Sequence, residues 1–251
     1  MQEITSRKNP VVQHLRKLAK DRAYREACGE FLCDGQKLYE EAVRCGVEII
    51  LVVSSDPKQK VHGQAEQIFM PQDILESISA QQSPQTLLFS CKMPKQTPQE
   101  QVETALVLDN IQDPGNLGTL IRTARAFAID QVILTGNTAD LYNPKTIRST
   151  MGTLFCQSIC QMEVDEIKNY VNQMGLTLYG AALGQNSQKA GTGFLGKTAI
   201  AIGNEGNGLS KEILEICEKT IEIPMQAGVE SLNAAVAGSI LMWERYREKI
   251  K

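Results

Sequence analysis

The segment from Thr198 to Asn233 leaves this chain few folds to choose from. It starts with an apolar run, Ala199 to Ile202, which reads as a buried strand. The run ends in Gly203-Asn204-Glu205-Gly206-Asn207-Gly208, a loop too glycine-rich to serve only as a turn. Ser210 then supplies an N-cap for a helix through KEILEICEK. A second short strand, Thr220 to Ile223, stops at Pro224 and leads into a loop carrying Ser231 and Asn233. Two strand ends thus deliver two polar loops of small residues. Open α/β sheets place their ligand sites at such strand ends.

The remaining chain supplies the rest of the sheet. Strands over 104–108, 131–135, 157–161 and 176–182 alternate with helices from Leu117, over 143–155 and over 165–174. That alternation predicts a mostly parallel sheet covered on both faces. Earlier in the chain, helices over 10–20 and 35–44, strands over 30–33, 47–53 and 86–91, and helical pieces over 61–69 and 73–79 predict a smaller α/β domain, residues 1–92. Residues 93–102 hold Pro94 and Pro98 among polar neighbours and read as a linker, with a second domain over 103–251. The closing helix, Ser231 to Glu248, is apolar around much of its circumference, as a core helix or an interface helix would be.

At 251 residues the chain can bury one large core or two modest ones. No apolar segment approaches the roughly 18 residues that would span a bilayer, and the polar start is not that of a signal peptide. Seven cysteines form no CxxC pair and only two histidines occur, His14 and His62, so no metal site is expected. An odd number of free thiols points to a reducing, cytoplasmic setting. The net charge of −3 hides an asymmetry: residues 1–25 hold seven basic side chains against two acidic ones, a surplus of +5 that leaves −8 for the rest. A basic arm is a polyanion footprint, and a solvated helix face accounts for it equally well.

Two glycine patterns need sorting. Gly191 to Gly196 spells GxGxxG, but a polar loop precedes it and a strand follows, the reverse of a dinucleotide fingerprint. No GxxxxGK[ST] exists, which removes a P-loop. The GNEGNG loop offers close backbone approach with a carboxylate and two amides, which suits a neutral or cationic ligand better than a pyrophosphate.

DNIQDPGNLGTLIRTARAF, AIGNEGNGLS and IEIPMQAGVESLNAAVA, in that order over residues 104–247, resemble the three signature motifs of the SpoU (TrmH-like) family of the SPOUT superfamily. NPKTIRSTMGTLF between the first two also fits. The start, ITSRKNPVVQHLRKLA followed by FLCDGQKL, resembles the family's amino-terminal RNA-binding domain, with Asp34 where a Glu is usual. The resemblance implies an α/β fold whose carboxyl-terminal segment is threaded into a trefoil knot, and a homodimer whose two subunits share each site. It implies transfer of a methyl group from S-adenosyl-L-methionine (AdoMet) to a ribose 2′-hydroxyl of structured RNA. The amino-terminal domain tilts the expectation towards 23S ribosomal RNA over transfer RNA.

Carried over position by position, the resemblance makes Arg122, six residues after Asn116, the essential side chain, with Asn116, Glu205, Ser231 and Asn233 as the other polar site residues. Gly203, Asn204, Ile223, Met225 and Leu232 are the expected cofactor contacts; Arg7, Lys8, Arg16, Arg22 and Arg148 are the expected RNA contacts. A guanidinium deprotonates only above pH ~12, so Arg122 is expected to fix a phosphate and stabilise a developing alkoxide rather than act as a literal base. Ordinary roles also account for several of these: Asn116 as a turn residue, Ser231 as N-cap of the last helix, Glu205 as a salt-bridge partner. An RNA methylase conferring antibiotic resistance, a transfer-RNA methylase and an RNA-binding protein without catalysis stay open as alternatives.

Overall fold

The computed structural model describes residues 2–59, 61, 65–79, 85–183, 187–194, 196–226, 228–229 and 231–250. In chain order the elements are β1 (Gln2–Glu3), α1 (Pro10–Lys20), α2 (Arg22–Cys28), β2 (Glu30–Asp34), α3 (Gln36–Arg44), β3 (Ile49–Ser54), β4 (Glu66–Phe69), α4 (Gln72–Ile78) and β5 (Leu87–Lys92). They continue as β6 (Thr104–Asp109), α5 (Pro114–Ala126), β7 (Gln131–Thr135), α6 (Pro144–Thr150), β8 (Ser158–Gln161), α7 (Val164–Met174) and β9 (Thr177–Ala181). The last are β10 (Gln188–Lys189), β11 (Thr198–Ile202), α8 (Lys211–Ile216), β12 (Lys219–Glu222) and α9 (Ala234–Lys249). The residues fall into two compact units, 1–95 with 140–156, and 96–139 with 157–251.

The first unit is built on a sheet in the order β1-β4-β3-β5-β2. Asn9 caps α1 by accepting from the Val11 N–H at 2.9 Å, and Val12, Leu15, Leu18 and Ala19 bury one helical face. α2 has no counterpart in the sequence reading; Asp21 caps it and Gly29, at φ +64°, ends it. The expected helix over 61–69 is corrected. Residues 62–64 lie outside the described ones, and Glu66–Phe69 is a strand paired parallel to β3, with Ser54 opposite Phe69. The apolar spacing at 61, 65, 68 and 69 is helical, but pairing on both sides, with β3 and β1, overrides it.

Residues 140–156 pack within this unit. Asp140 receives a hydrogen bond from one terminal nitrogen of the buried Arg25 guanidinium, whose other terminal nitrogen donates to the Leu18 carbonyl at 2.6 Å. Tyr142 packs against Phe31 with ring centroids 4.6 Å apart and the rings tilted by 36°. Cys45 and Cys156 form a disulfide across a Cα separation of 5.7 Å, which corrects the expectation that all seven thiols are free. The helix predicted over 143–155 is shorter, because Met151 (φ +52°) and Gly152 (φ +90°) turn the chain left-handed after Thr150, and only a short 3-10 turn, Thr153–Phe155, follows.

In the second unit the strands run in the order β10-β12-β9-β11-β6-β7-β8, every pair parallel. Continuous apolar runs such as TALVLD, QVILT and TAIAI suit strands buried on both faces. One core cluster joins Val107, Ile133, Leu178 and Ala201 to Ile167 and Val171 of α7. α9 lies against α5. A Cβ at Gly238 would run into Leu120, so glycine sets how closely these helices approach. Because the strands are parallel, the loops after β6, β9, β11 and β12 all leave from one edge of the sheet.

Candidate functional site

The Gly203–Gly208 loop is a tight antiparallel reversal. The Asn204 N–H donates to the Gly208 carbonyl at 3.0 Å and the Gly208 N–H returns to the Asn204 carbonyl at 2.9 Å. A side chain at Gly203 would collide with the Gly208 backbone. The Asn204 side chain braces the turn: its Oδ1 accepts from the Gly206 and Asn207 N–H groups at 2.8 and 3.3 Å. At the tip, Glu205 is left facing the start of α5.

There it meets the first motif. Asp113 caps α5 by accepting from the Asn116 N–H at 2.9 Å, and the Asn116 Nδ2 donates to the Glu205 carboxylate. Asn233 Nδ2 donates in turn to Asn116 Oδ1 at 3.1 Å. Asn233 is also the N-cap of α9, its Oδ1 accepting from the Ala235 and Val236 N–H groups at 3.0 and 3.2 Å. A single chain of amides and one carboxylate therefore ties together three segments that are 89 and 117 residues apart. The cap role expected for Ser231 belongs to Asn233, because α9 starts at Ala234. Glu205 is held by an amide among the described residues, not by a salt bridge.

Beside this chain lies a cavity of about 370 Å³. Gly203, Asn204, Glu205, Ile223, Met225, Ser231 and Leu232 line it, so all five expected cofactor contacts and two of the expected polar residues converge. The sequence reading missed Ala182, Leu183 and Leu214, which also line it; the end of a predicted strand at 182 was the available signal. Its charged lining, among the described residues, is two carboxylates, Glu205 and Glu222, with no lysine or arginine. Such a wall repels phosphate and suits a small cationic ligand, and the volume falls in the ordinary range for small-molecule pockets. Nearby, burial and then the Asp109 carboxylate push the Cys217 thiol up to about 12.

Arg122 is exposed and makes no hydrogen bond or ion pair among the described residues. Six residues of helix separate it from Asn116 by about 9 Å of rise and roughly 240° of turn, so the two occupy different faces of α5. The amide chain does not extend to Arg122. In the first unit, Arg7 pairs with Asp73 at 2.9 Å, Arg22 with Glu26 at 2.7 Å, and Arg16 donates to Ser77 Oγ at 2.5 Å. Lys8 and Arg148 are exposed. Among the described residues no cluster of His, Cys, Asp and Glu could hold a metal, and no helix is long and apolar enough to cross a membrane.

A parallel α/β unit with a phosphate-averse cavity at its strand ends, beside a fixed amide–carboxylate chain and an unpaired arginine, has the layout of a transferase for a cationic cofactor. Residues 103–243 match the SpoU rRNA methylase family and residues 9–88 match the MRM3-like substrate-binding domain. The chain belongs to the SpoU rRNA methylase family. It is 31% identical over 249 residues to the 23S rRNA (guanosine(2553)-2′-O)-methyltransferase RlmP of Bacillus subtilis, covering 97% of this chain and 98% of that one. It is 28% identical to the 23S rRNA (uridine(2479)-2′-O)-methyltransferase of Streptomyces viridochromogenes, covering 98% and 92%. Among solved structures, the AdoMet-bound rRNA methyltransferase of Sinorhizobium meliloti superposes with a TM-score of 0.90 at 28% identity, over 100% of this chain and 98% of that one. The SpoU methyltransferase AviRb of S. viridochromogenes, in complex with AdoMet, gives 0.87 at 27%, over 97% and 99%.

Proposed function

We infer that this protein transfers the methyl group of AdoMet to a ribose 2′-hydroxyl of ribosomal RNA, and that the RNA is 23S. The observation that carries the reading is the cavity between the GNEGNG and SLN loops, which has carboxylates and no basic side chain in its described wall. Gly203, Ile223, Met225 and Leu232 would hold AdoMet there through backbone groups and apolar contact. When bound, the cofactor supplies an electrophilic methyl on a sulfonium.

The chain's own residues do the rest. Arg122 has a free guanidinium fork, the geometry that grips a phosphate oxygen pair, and its charge stabilises the alkoxide that develops at the 2′-oxygen as the hydroxyl proton passes to solvent water. Asn116, locked between Glu205 and Asn233, offers a fixed amide edge to orient the ribose, and Ser231 at the cavity rim is a further hydroxyl for it. Lys8, Arg148, Arg7, Arg16 and Arg22 would meet RNA phosphates from the first unit, three of them by exchanging an internal partner for RNA. The organisation proposed is a substrate-binding domain over 1–92, a linker over 93–102 and a methyltransferase domain over 103–251, the last with a trefoil knot. The protein is placed in the cytoplasm as a homodimer. Val236 and Trp243 on α9 are 48% and 41% exposed, a face for a second copy, and Trp243 is flanked by Phe127 and Tyr246.

Labelled AdoMet and total RNA from a strain lacking the gene test the reading, with nuclease mapping of the labelled nucleotide. A 2′-O-methylated 23S nucleotide is the expected product. AdoMet binding without transfer to free RNA or to ribosomal particles would move the assignment to a non-catalytic RNA-binding protein.

A further inference from the structure

The GNEGNG loop is anchored at both ends by a dipeptide that lines no part of the cavity. Asp109, the last residue of β6, is 1% exposed. One of its carboxylate oxygens accepts from the Ser210 N–H at 2.6 Å, just past the loop, and the other accepts from Asn110 Nδ2 at 2.6 Å. The Asn110 carbonyl accepts from Asn204 Nδ2 at 3.1 Å, at the start of the loop. Asn110 has φ +56°, a left-handed conformation that asparagine tolerates and most residues do not. That turn aims its carbonyl across to Asn204. The Asn110 side chain also accepts from the Asn137 N–H at 2.8 Å, and a Cβ at Gly136 would come within 2.6 Å of its Oδ1, so the loop after β7 is fitted to the same residue.

A buried carboxylate is costly unless its oxygens are hydrogen-bonded. Asp109 meets that requirement with two neutral N–H groups and, among the described residues, no cation. Its placement makes sense as an anchor for the backbone at Ser210. Asn204, although it lines the cavity, has its backbone N–H, its carbonyl and both side-chain polar atoms engaged within the loop and with Asn110. It has little left to offer a ligand directly.

We propose that Asp109 and Asn110 are positioning residues that set AdoMet affinity by holding the Asn204–Ser210 wall in its binding shape, with Asn204 as the strut between them. The proposal rests on the AdoMet reading of the cavity. Pre-organising a loop raises affinity by removing the cost of ordering it on binding. The three residues therefore act through the shape of the cofactor-binding wall.

Calorimetric AdoMet titrations and steady-state kinetics on the full-length protein test this with Asn204→Asp, Asn110→Ala and Asn110→Gly. Asn204→Asp keeps the acceptor for Gly206 and replaces the donor to Asn110 with an oxygen. We expect it to weaken AdoMet binding about tenfold or more while KM for RNA stays within about twofold. Asn110→Ala strains the left-handed turn and should weaken AdoMet binding similarly. Asn110→Gly keeps the turn and the carbonyl and should recover most of the loss. A general loss of packing would move both substrates' constants and would not be rescued by glycine. A wild-type protein that binds no AdoMet would sink the underlying reading. A wild type that binds, with folded Asn204→Asp and Asn110→Ala variants of equal affinity, would overturn this proposal alone.

Discussion

The two units use charge in opposite ways. In the first, basic side chains that look like a nucleic-acid footprint in the sequence are largely engaged at home: Arg7 with Asp73, Arg22 with Glu26, Arg16 with Ser77, and Arg25, 3% exposed, with Asp140. In the second, the polar residues at the strand ends are mostly amides and two carboxylates, Asp109 and Glu205, joined by neutral donors, while Arg122 is left open on α5. A count of lysines and arginines therefore says little about which are available. Availability depends on whether an acid or a carbonyl stands within reach, and only the fold decides that.

The largest effect should come from breaking the buried pair of the first unit. Asp140→Ala leaves the Arg25 guanidinium uncompensated in the core and should cost about 3–5 kcal/mol in denaturant unfolding. A loss below about 1 kcal/mol would mean that Arg25 finds water, and that the pair resembles the surface ones.

Cys217 sharpens the picture of the second unit. With its thiol pushed up to about 12, against 9.0 for the ordinary group, the thiolate is scarce at pH 8. Alkylation there should run about a thousandfold slower than for an ordinary thiol and speed up about tenfold per pH unit, as read by mass spectrometry. Since the folded value lies above the unfolded one, the stability tied to this proton is complete below pH 9.0 and declines as pH rises towards about 12. Rapid alkylation at pH 8 would show that the thiol is not half-buried near the Asp109 carboxylate.

The smallest effect is expected at Arg7. Its pair with Asp73 is open to solvent, with side chains 58% and 64% exposed, so Arg7→Ala should change stability by less than about 1 kcal/mol. If Arg7 trades that partner for an RNA phosphate, the same variant should lower the salt dependence of RNA binding by about one ion. An unchanged slope would confine Arg7 to its internal role.

Much of the second unit was legible beforehand because its strands are continuous apolar runs bounded by polar loops, a pattern that parallel burial imposes. The expected site residues came from motifs, and seven of them line the cavity. The clamp of Asp109 and Asn110 was not legible. Its hydrogen bonds span 101 and 94 residues and leave no periodic trace in the chain. Strands as short as Gln2–Glu3 and Gln188–Lys189 carry too few residues for alternation to show. Glu66–Phe69 was misread because its apolar spacing is helical and only its neighbours in the sheet make it a strand. The disulfide between Cys45 and Cys156 joins positions that nothing in their spacing connects.

The central claim is that Arg122 is free because it acts on the RNA, while the loop held by Asp109 and Asn110 serves the cofactor. Single-turnover methyl transfer at saturating AdoMet, with AdoMet affinity measured on the same preparations, tests it directly with Arg122→Ala. The rate should fall by about 10²–10³-fold with AdoMet affinity within about threefold of wild type. A near-normal rate, or a loss of AdoMet binding that accounts for the whole defect, would contradict that division of labour.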